Sequence, residues 1–257
     1  MVELITLGSG SRGNSTLLRT ARSSILIDAG FSARQLFLRL EAVGHDPSAI
    51  DAIVITHEHS DHISGVPVFT RRTGTRVMAN EAAVTSAGPA LRDAATLDTF
   101  TTGSCFEAGD FTITPFPISH DAAEPVGFIL EAEGISTGYA TDLGHAGHEI
   151  VERLTGCEIV VVEANHDRNM LFTGPYPPLT KRRIDSDHGH LSNEAAAELL
   201  TRIIPGGTRQ VVLAHLSETN NIPRLARATI EGILRRNDLE GIALHVAGQN
   251  EPGDPVS

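Results

Sequence analysis

A short apolar run that ends in a cluster of metal-binding residue types constrains this chain more than any other feature. Ala52–Thr56 reads as a buried strand and runs without a break into His57-Glu58-His59-Ser60-Asp61-His62. With this composition, an H-x-H-x-D-H pattern arises by chance with a probability on the order of one in a thousand. Side chains two apart on an extended segment point the same way, so His57, His59 and Asp61 are expected to converge. His62 then points elsewhere and serves a second ion beside the first. Imidazole with carboxylate suits zinc, with iron or manganese as alternatives. Four ligands on one loop do not complete two sites, so the fold must bring further donors from elsewhere.

Candidates stand where predicted strands end. His120 follows Phe111–Ile118, Asp142 follows Ile135–Ala140, and His215 follows Gln210–Ala214. The end of a strand is where an open sheet presents functional groups. Taken singly, each of these is an ordinary turn residue or a satisfied histidine; their order along the chain is what carries weight.

Further strands are predicted at Val2–Leu7, Ser15–Thr20, Ser24–Ile27, Val126–Glu131, Ile159–Glu163 and Ile242–Val246. Val126–Glu131 and Ile135–Ala140 form a hairpin that turns at Glu133-Gly134. Helical apolar spacing marks Arg34–Val43, Ser192–Ile204 and Ile222–Arg236. Many strands precede the first strong helix, and then the two types mix. That order fits two sheets packed together with helices outside better than a doubly wound parallel sheet. The expected class is α+β, as one domain over residues 1–257 with a frayed polar tail at Gly248–Ser257.

Composition narrows the function. A hydrophobic share of 40% and a charged share of 20% describe an ordinary globular core. The net charge of −12 argues against broad non-specific nucleic-acid binding. Cys105 and Cys157 form no metal-type pair and no disulfide scaffold. No apolar run is long enough to span a membrane, and the N-terminus lacks the basic flank of a secretory signal, so a cytoplasmic setting is expected.

Gly8-Ser9-Gly10-Ser11-Arg12-Gly13 matches the dinucleotide pattern G-x-G-x-x-G. A dinucleotide site needs a helix opening at the third glycine. The few residues before the next strand fit a hairpin turning at Ala21–Ser23 better, so the glycine loop either lines a site or merely turns the chain.

The order H-x-H-x-D-H, His120, Asp142, His215 resembles the metallo-β-lactamase-fold hydrolases along essentially the whole chain, from Asp28-Ala29-Gly30 onward. The resemblance implies a four-layer αβ/βα sandwich with two mixed β-sheets and a dinuclear site. His57, His59 and His120 would hold one divalent ion, and Asp61, His62 and His215 the other, with Asp142 bridging both. Zn2+ is favoured, with Mn2+ or Fe2+ as alternatives. Gly8–Ser15, Glu163-Ala164-Asn165-His166-Asp167 and Gly189-His190-Leu191-Ser192-Asn193 resemble the bacterial WalJ/YycJ-type proteins, a family described as 5′-to-3′ exonucleases on double-stranded DNA. The phosphoribosyl cyclic phosphodiesterases share the ligand set. The short stretch between Asp142 and His215 leaves no room for the inserted domain of ribonuclease J.

Paired metals lower the pKa of a shared water, and the bridging hydroxide would attack phosphorus in line. His190 and Ser192, at a predicted helix start, are candidates to grip a phosphate, with His190 as general acid. Alternatively, Ser192 simply caps the helix and His190 is exposed. His166 is a candidate substrate contact or outer support, with a surface histidine as the alternative. Asp28 is expected to orient a ligand imidazole through a hydrogen bond. Asp61, His190 and His166 are thus the catalytic candidates. Lys181-Arg182-Arg183 would meet backbone phosphates, and the Tyr176–His190 loop would shape a channel. The expected activity is a phosphodiesterase acting on DNA or RNA ends. A small-molecule hydrolase of a cyclic phosphodiester, thioester or lactone is the alternative, and a non-enzymatic metal-binding scaffold or regulator is the remaining reading.

Overall fold

A computed structural model describes residues 1–257. The thirteen strands fall into two mixed sheets, one of six strands and one of seven, accompanied by helices, which is the expected fold class. The chain divides into two compact units. One holds Met1–Pro117, Ala122–Gly134 and Gly248–Ser257; the other holds Ile118–Asp121 and Ile135–Ala247.

The first unit begins with β1 (Glu3–Gly8), β2 (Ser15–Arg19) and β3 (Ser24–Ile27), paired antiparallel. β4 (Ala52–Val54), β5 (Arg76–Asn80) and β6 (Thr96–Phe100) continue the sheet in parallel. Ile25, Leu26 and Ile27 are fully buried, as the unbroken apolar run of a strand covered on both faces requires. Leu36 and Leu40 of helix Ala33–Ala42 join the core formed with Ile5, Leu17 and Ile53. The helix is capped by Ser32 and followed by Gly44 at φ 67°. β7 (Phe106–Ala108), β8 (Phe111–Pro117) and β9 (Val126–Ala132) form an antiparallel meander. Glu133 and Gly134 both have positive φ, 51° and 79°, as a type I′ turn demands.

In the second unit β10 (Ile135–Ala140), β11 (Ile159–Glu163), β12 (Gln210–Ala214) and β13 (Ala243–Val246) are parallel neighbours. Their register pairs Ala140 with Val162 and Glu163 with Ala214. The strand ends therefore stop at one level, and the residues that follow them gather at one edge.

As expected, no helix opens at the third glycine of Gly8–Gly13; β2 follows instead, so the dinucleotide pattern is a turn between antiparallel strands. Two expectations are corrected by the fold. The supposed loop Tyr176–His190 contains helix Pro178–Ile184, begun by two prolines whose fixed φ suits a first turn. The tail is not frayed. Leu4 and Val256 exchange both backbone hydrogen bonds at 2.9 Å, and the Gly253 N–H donates to Thr6 O at 2.9 Å. Polar composition suggested fraying, but β1 is an outer strand whose backbone groups need partners. No helix is long and apolar enough to cross a membrane.

Candidate active site

In the first unit the chain leaves β4 through Thr56 and His57, then turns into the short helix Ser60–Ile63 with His59 at its start. The extended alternation expected across His57–Asp61 therefore ends at His59. Two pairs result. His57 Nε2 and His59 Nδ1 face each other at 3.1 Å, while Asp61 Oδ2 lies 3.7 Å from His62 Nε2. The His57 and His62 rings are 4.0 Å apart between centroids.

A buried network holds this loop. Asp28 Oδ2 lies 2.7 Å from His62 Nδ1 and accepts the Thr56 hydroxyl at 2.8 Å, while Oδ1 accepts the Thr56 N–H at 2.8 Å. The Thr56 hydrogen is thereby committed to the carboxylate, leaving an oxygen lone pair toward His57 Nδ1 at 3.0 Å. Burial pushes the Asp28 carboxyl up from its ordinary range, against the opposing pull of His62. Asn14, which sequence reasoning passed over, is buried beside the pair. Its Oδ1 accepts from Ser9 Oγ and Gly10 N, which turns Nδ2 toward His62 Nε2, 3.1 Å away. The glycine loop thus lines this site. A Cβ on Gly30 would run into the Asp61 carbonyl, which explains a glycine there.

In the second unit Asp142, Glu163, His190 and His215 each offer a donor atom, all within 4.8 Å of one another. Glu163 organises them and was missed as a site residue, although it ends β11 just as the predicted ligands follow β10 and β12. Its Oε1 lies 2.7 Å from His215 Nδ1 and 2.9 Å from His190 Nδ1. Its Oε2 accepts the N–H groups of Leu143 and Leu191 at 3.0 and 2.9 Å. Burial pushes the Glu163 carboxyl up, but His190 and His215 outweigh it and hold it at about 2. Burial likewise pushes the His190 imidazole down, and Glu163 more than reverses this, raising it above its ordinary value. His120 donates Nδ1–H to Gly189 O at 3.1 Å, and burial lowers its basicity.

His190 is not exposed; its ring centroid lies 5.2 Å from those of His120 and His215, with the planes tilted. Ser192 is buried, and its Oγ accepts the Ala195 N–H at 3.2 Å, the capping alternative. His166 is fully buried instead of lying on the surface. Its Nε2 sits 3.6 Å from Asp185 Oδ1, and burial lowers its basicity. Lys181 Nζ donates to Phe172 O and Gly174 O, so it holds the backbone.

Asp28, Asp142 and His215 have φ of 60°, 56° and 54°. Left-handed non-glycine residues cost on the order of 1–3 kcal/mol each and collect at functional sites. The donor set fits a divalent cation on independent grounds. In His62, His120 and His215 an oxygen acceptor fixes the Nδ1–H, and Thr56 does so in His57, so the lone pair of each sits on Nε2. This is how metal-binding imidazoles are oriented.

Buried imidazoles with fixed tautomers and carboxylates at strand ends define a metal-dependent hydrolase. Residues 23–216 match the beta-lactamase superfamily domain, and the chain belongs to that superfamily, in its metallo-β-lactamase fold. It is 38% identical over 237 residues to exodeoxyribonuclease WalJ of Streptococcus pneumoniae serotype 2 (strain D39 / NCTC 7466), covering 91% of this chain and 88% of that protein. It is 35% identical over 230 residues to exodeoxyribonuclease YycJ of Bacillus anthracis, covering 89% and 87%. The crystal structure of the metallo-β-lactamase fold protein YhfI from Bacillus subtilis superposes with a TM-score of 0.76 at 15% identity, covering 99% of this chain and 100% of that one.

Proposed function

We propose that this chain is a phosphodiesterase acting on nucleic acid, exonuclease-like, with two divalent metal ions. Zn2+ is favoured, and Mn2+ or Fe2+ are alternatives. His57, His59 and His120 would hold one ion, Asp61, His62 and His215 the other, and Asp142 would be shared. Residues 1–257 act as one catalytic domain in this reading. Cys105 and Cys157, neither of them in a disulfide, suit a cytoplasmic setting. The observation that carries the proposal is the tautomer shared by His57, His62, His120 and His215, each fixed at Nδ1 with its lone pair on Nε2. The similarity to WalJ and YycJ supports the choice of nucleic acid.

Bound there, the metals would supply Lewis-acid charge at the scissile phosphate and activate water. The chain's own residues do the rest. Asp28 and Thr56 keep His62 and His57 in register, and Asn14 presents its NH2 group beside Asp61 and His62. Glu163 holds His190 by Nδ1, which leaves Nε2–H to donate to the leaving oxygen. Its charge favours the imidazolium needed for that step. Ser192 sets the start of helix Asn193–Ile203 just beyond, and buried His166 supports the loop from behind.

Purified protein should be assayed on end-labelled duplex DNA, a small phosphodiester and a thioester, before and after exhaustive chelation. Metal-restored turnover of DNA is expected. Activity that survives chelation, or a preference for the thioester, would overturn the proposal.

A further inference from the structure

Helices Arg168–Thr173 and Pro178–Ile184 form a hairpin stapled to itself. Lys181, the only lysine in the chain, donates to Phe172 O at 2.8 Å and Gly174 O at 2.7 Å, and Arg168 pairs with Asp185 at 2.9 Å. No side chain of helix Pro178–Ile184 is buried, so core packing does not explain its sequence. Leu179, Arg182 and Arg183 stand at i, i+3 and i+4 and share one face. Leu179 is 77% exposed, the Arg183 side chain is 66% exposed, and Arg182 also faces solvent. The helix carries three basic residues and no acidic one, within a chain of net charge −12.

We propose that this face binds a polynucleotide strand, with Arg182 and Arg183 on its phosphates and Leu179 against its sugars and bases. The inference rests on the reading of the chain as a nucleic-acid phosphodiesterase and names how the strand is held. Charge complementarity selects the occupant. A polyanion is attracted to this helix, whereas the same helix of a second copy is repelled. The hairpin is also tied to the catalytic residues of its own unit. The His190 N–H donates to Ile184 O at 2.9 Å, and a Cβ on Gly189 would collide with the Arg183 and Ile184 carbonyls. Arg183 also pairs at 2.9 Å with Asp121, the neighbour of His120. A strand gripped on the arginines is thereby registered against His190. Lys181 contributes rigidity and the arginines contribute contact.

The test measures binding of the metal-loaded, full-length protein to a fluorescent, cleavage-resistant phosphorothioate duplex across a salt series. Arg182→Ala should weaken binding about tenfold near 0.1 M salt and lower the salt slope by about 1, the signature of one lost phosphate contact. Leu179→Ser should weaken binding about threefold with the slope retained, because an apolar contact releases no counterions. Both variants should keep their metal content and melting temperature, since both side chains are exposed. Wild-type affinity and slope in both variants would overturn the inference. So would unchanged DNA binding together with a Leu179→Ser variant that dissociates from dimer to monomer, which would make the face a self-interface. Hydrolysis is scored separately on unmodified DNA. A wild-type protein that cleaves a small ester but no DNA refutes the proposed function, while the binding series still decides whether the hairpin holds a strand.

Discussion

In the first unit, His57, His59, Asp61 and His62 come from one short loop braced from several directions by Asp28, Thr56 and Asn14. In the second, Asp142, His190 and His215 come from distant parts of the chain, and one carboxylate organises them. Glu163 serves two imidazoles with Oε1 and two backbone N–H groups with Oε2. A contiguous loop can distribute its support, so losing one brace leaves others in place. A cluster assembled from strand ends depends on the residue they share. Buried charge raises the stakes, because removing one partner leaves the others desolvated and unpaired.

The largest effect should come from a residue proposed to hold metal directly. His62→Ala is expected to abolish hydrolysis and reduce bound metal, as metal analysis beside turnover would show. Retained metal and activity would remove His62 from the centre altogether. Glu163→Gln comes next, with metal affinity reduced about 10- to 100-fold through His215 and turnover reduced further through His190. It should also change acid stability. A carboxyl held at about 2, below its ordinary 4.5, stabilises the fold fully above about pH 4.5, and that contribution is lost as pH falls through about 2. Melts of metal-depleted protein across this range should show a shallower pH dependence in Glu163→Gln than in wild type.

His190→Ala should keep metal and fold while losing roughly 10²–10⁴-fold in rate, and less on a substrate with a very acidic leaving group. Loss of metal in this variant would make His190 a ligand, as His215 is proposed to be. Asp28→Asn should have the smallest effect, at the low end of a 10- to 100-fold loss of metal affinity, because Thr56 and Asn14 still brace the loop. If Asp28→Asn proves as damaging as Glu163→Gln, the difference in support between the two regions is wrong.

The same contrast governs what could be read before folding. The H-x-H-x-D-H loop is legible because its chemistry is contiguous, and Asp142 and His215 because apolar strands point to them. Glu163 was hidden at the end of the unbroken apolar run Ile159–Val162, where a final glutamate reads as the polar residue at which a buried strand stops. Nothing local says that β10 and β12 flank it. Thr56 and Asn14 were hidden because a hydroxyl or an amide acquires meaning only through what it touches. β5 and β6 went unpredicted because Arg76–Asn80 and Thr96–Phe100 mix polar and apolar residues without strong alternation. Helix Pro178–Ile184 was obscured by the prolines that start it.

The pairing of the tail with β1 has a consequence for how molecules of this protein meet one another. β1 is the outermost strand of its sheet, and an uncovered edge invites strand addition from a second chain. Residues Gly253 and Val256 occupy the outward backbone positions at Thr6 and Leu4, so the tail works as a sheath. A version trimmed after Ala247 would keep every residue of both metal-binding clusters yet expose that edge. Its characteristic failure would be self-association growing with concentration, visible by light scattering before any chemistry is lost.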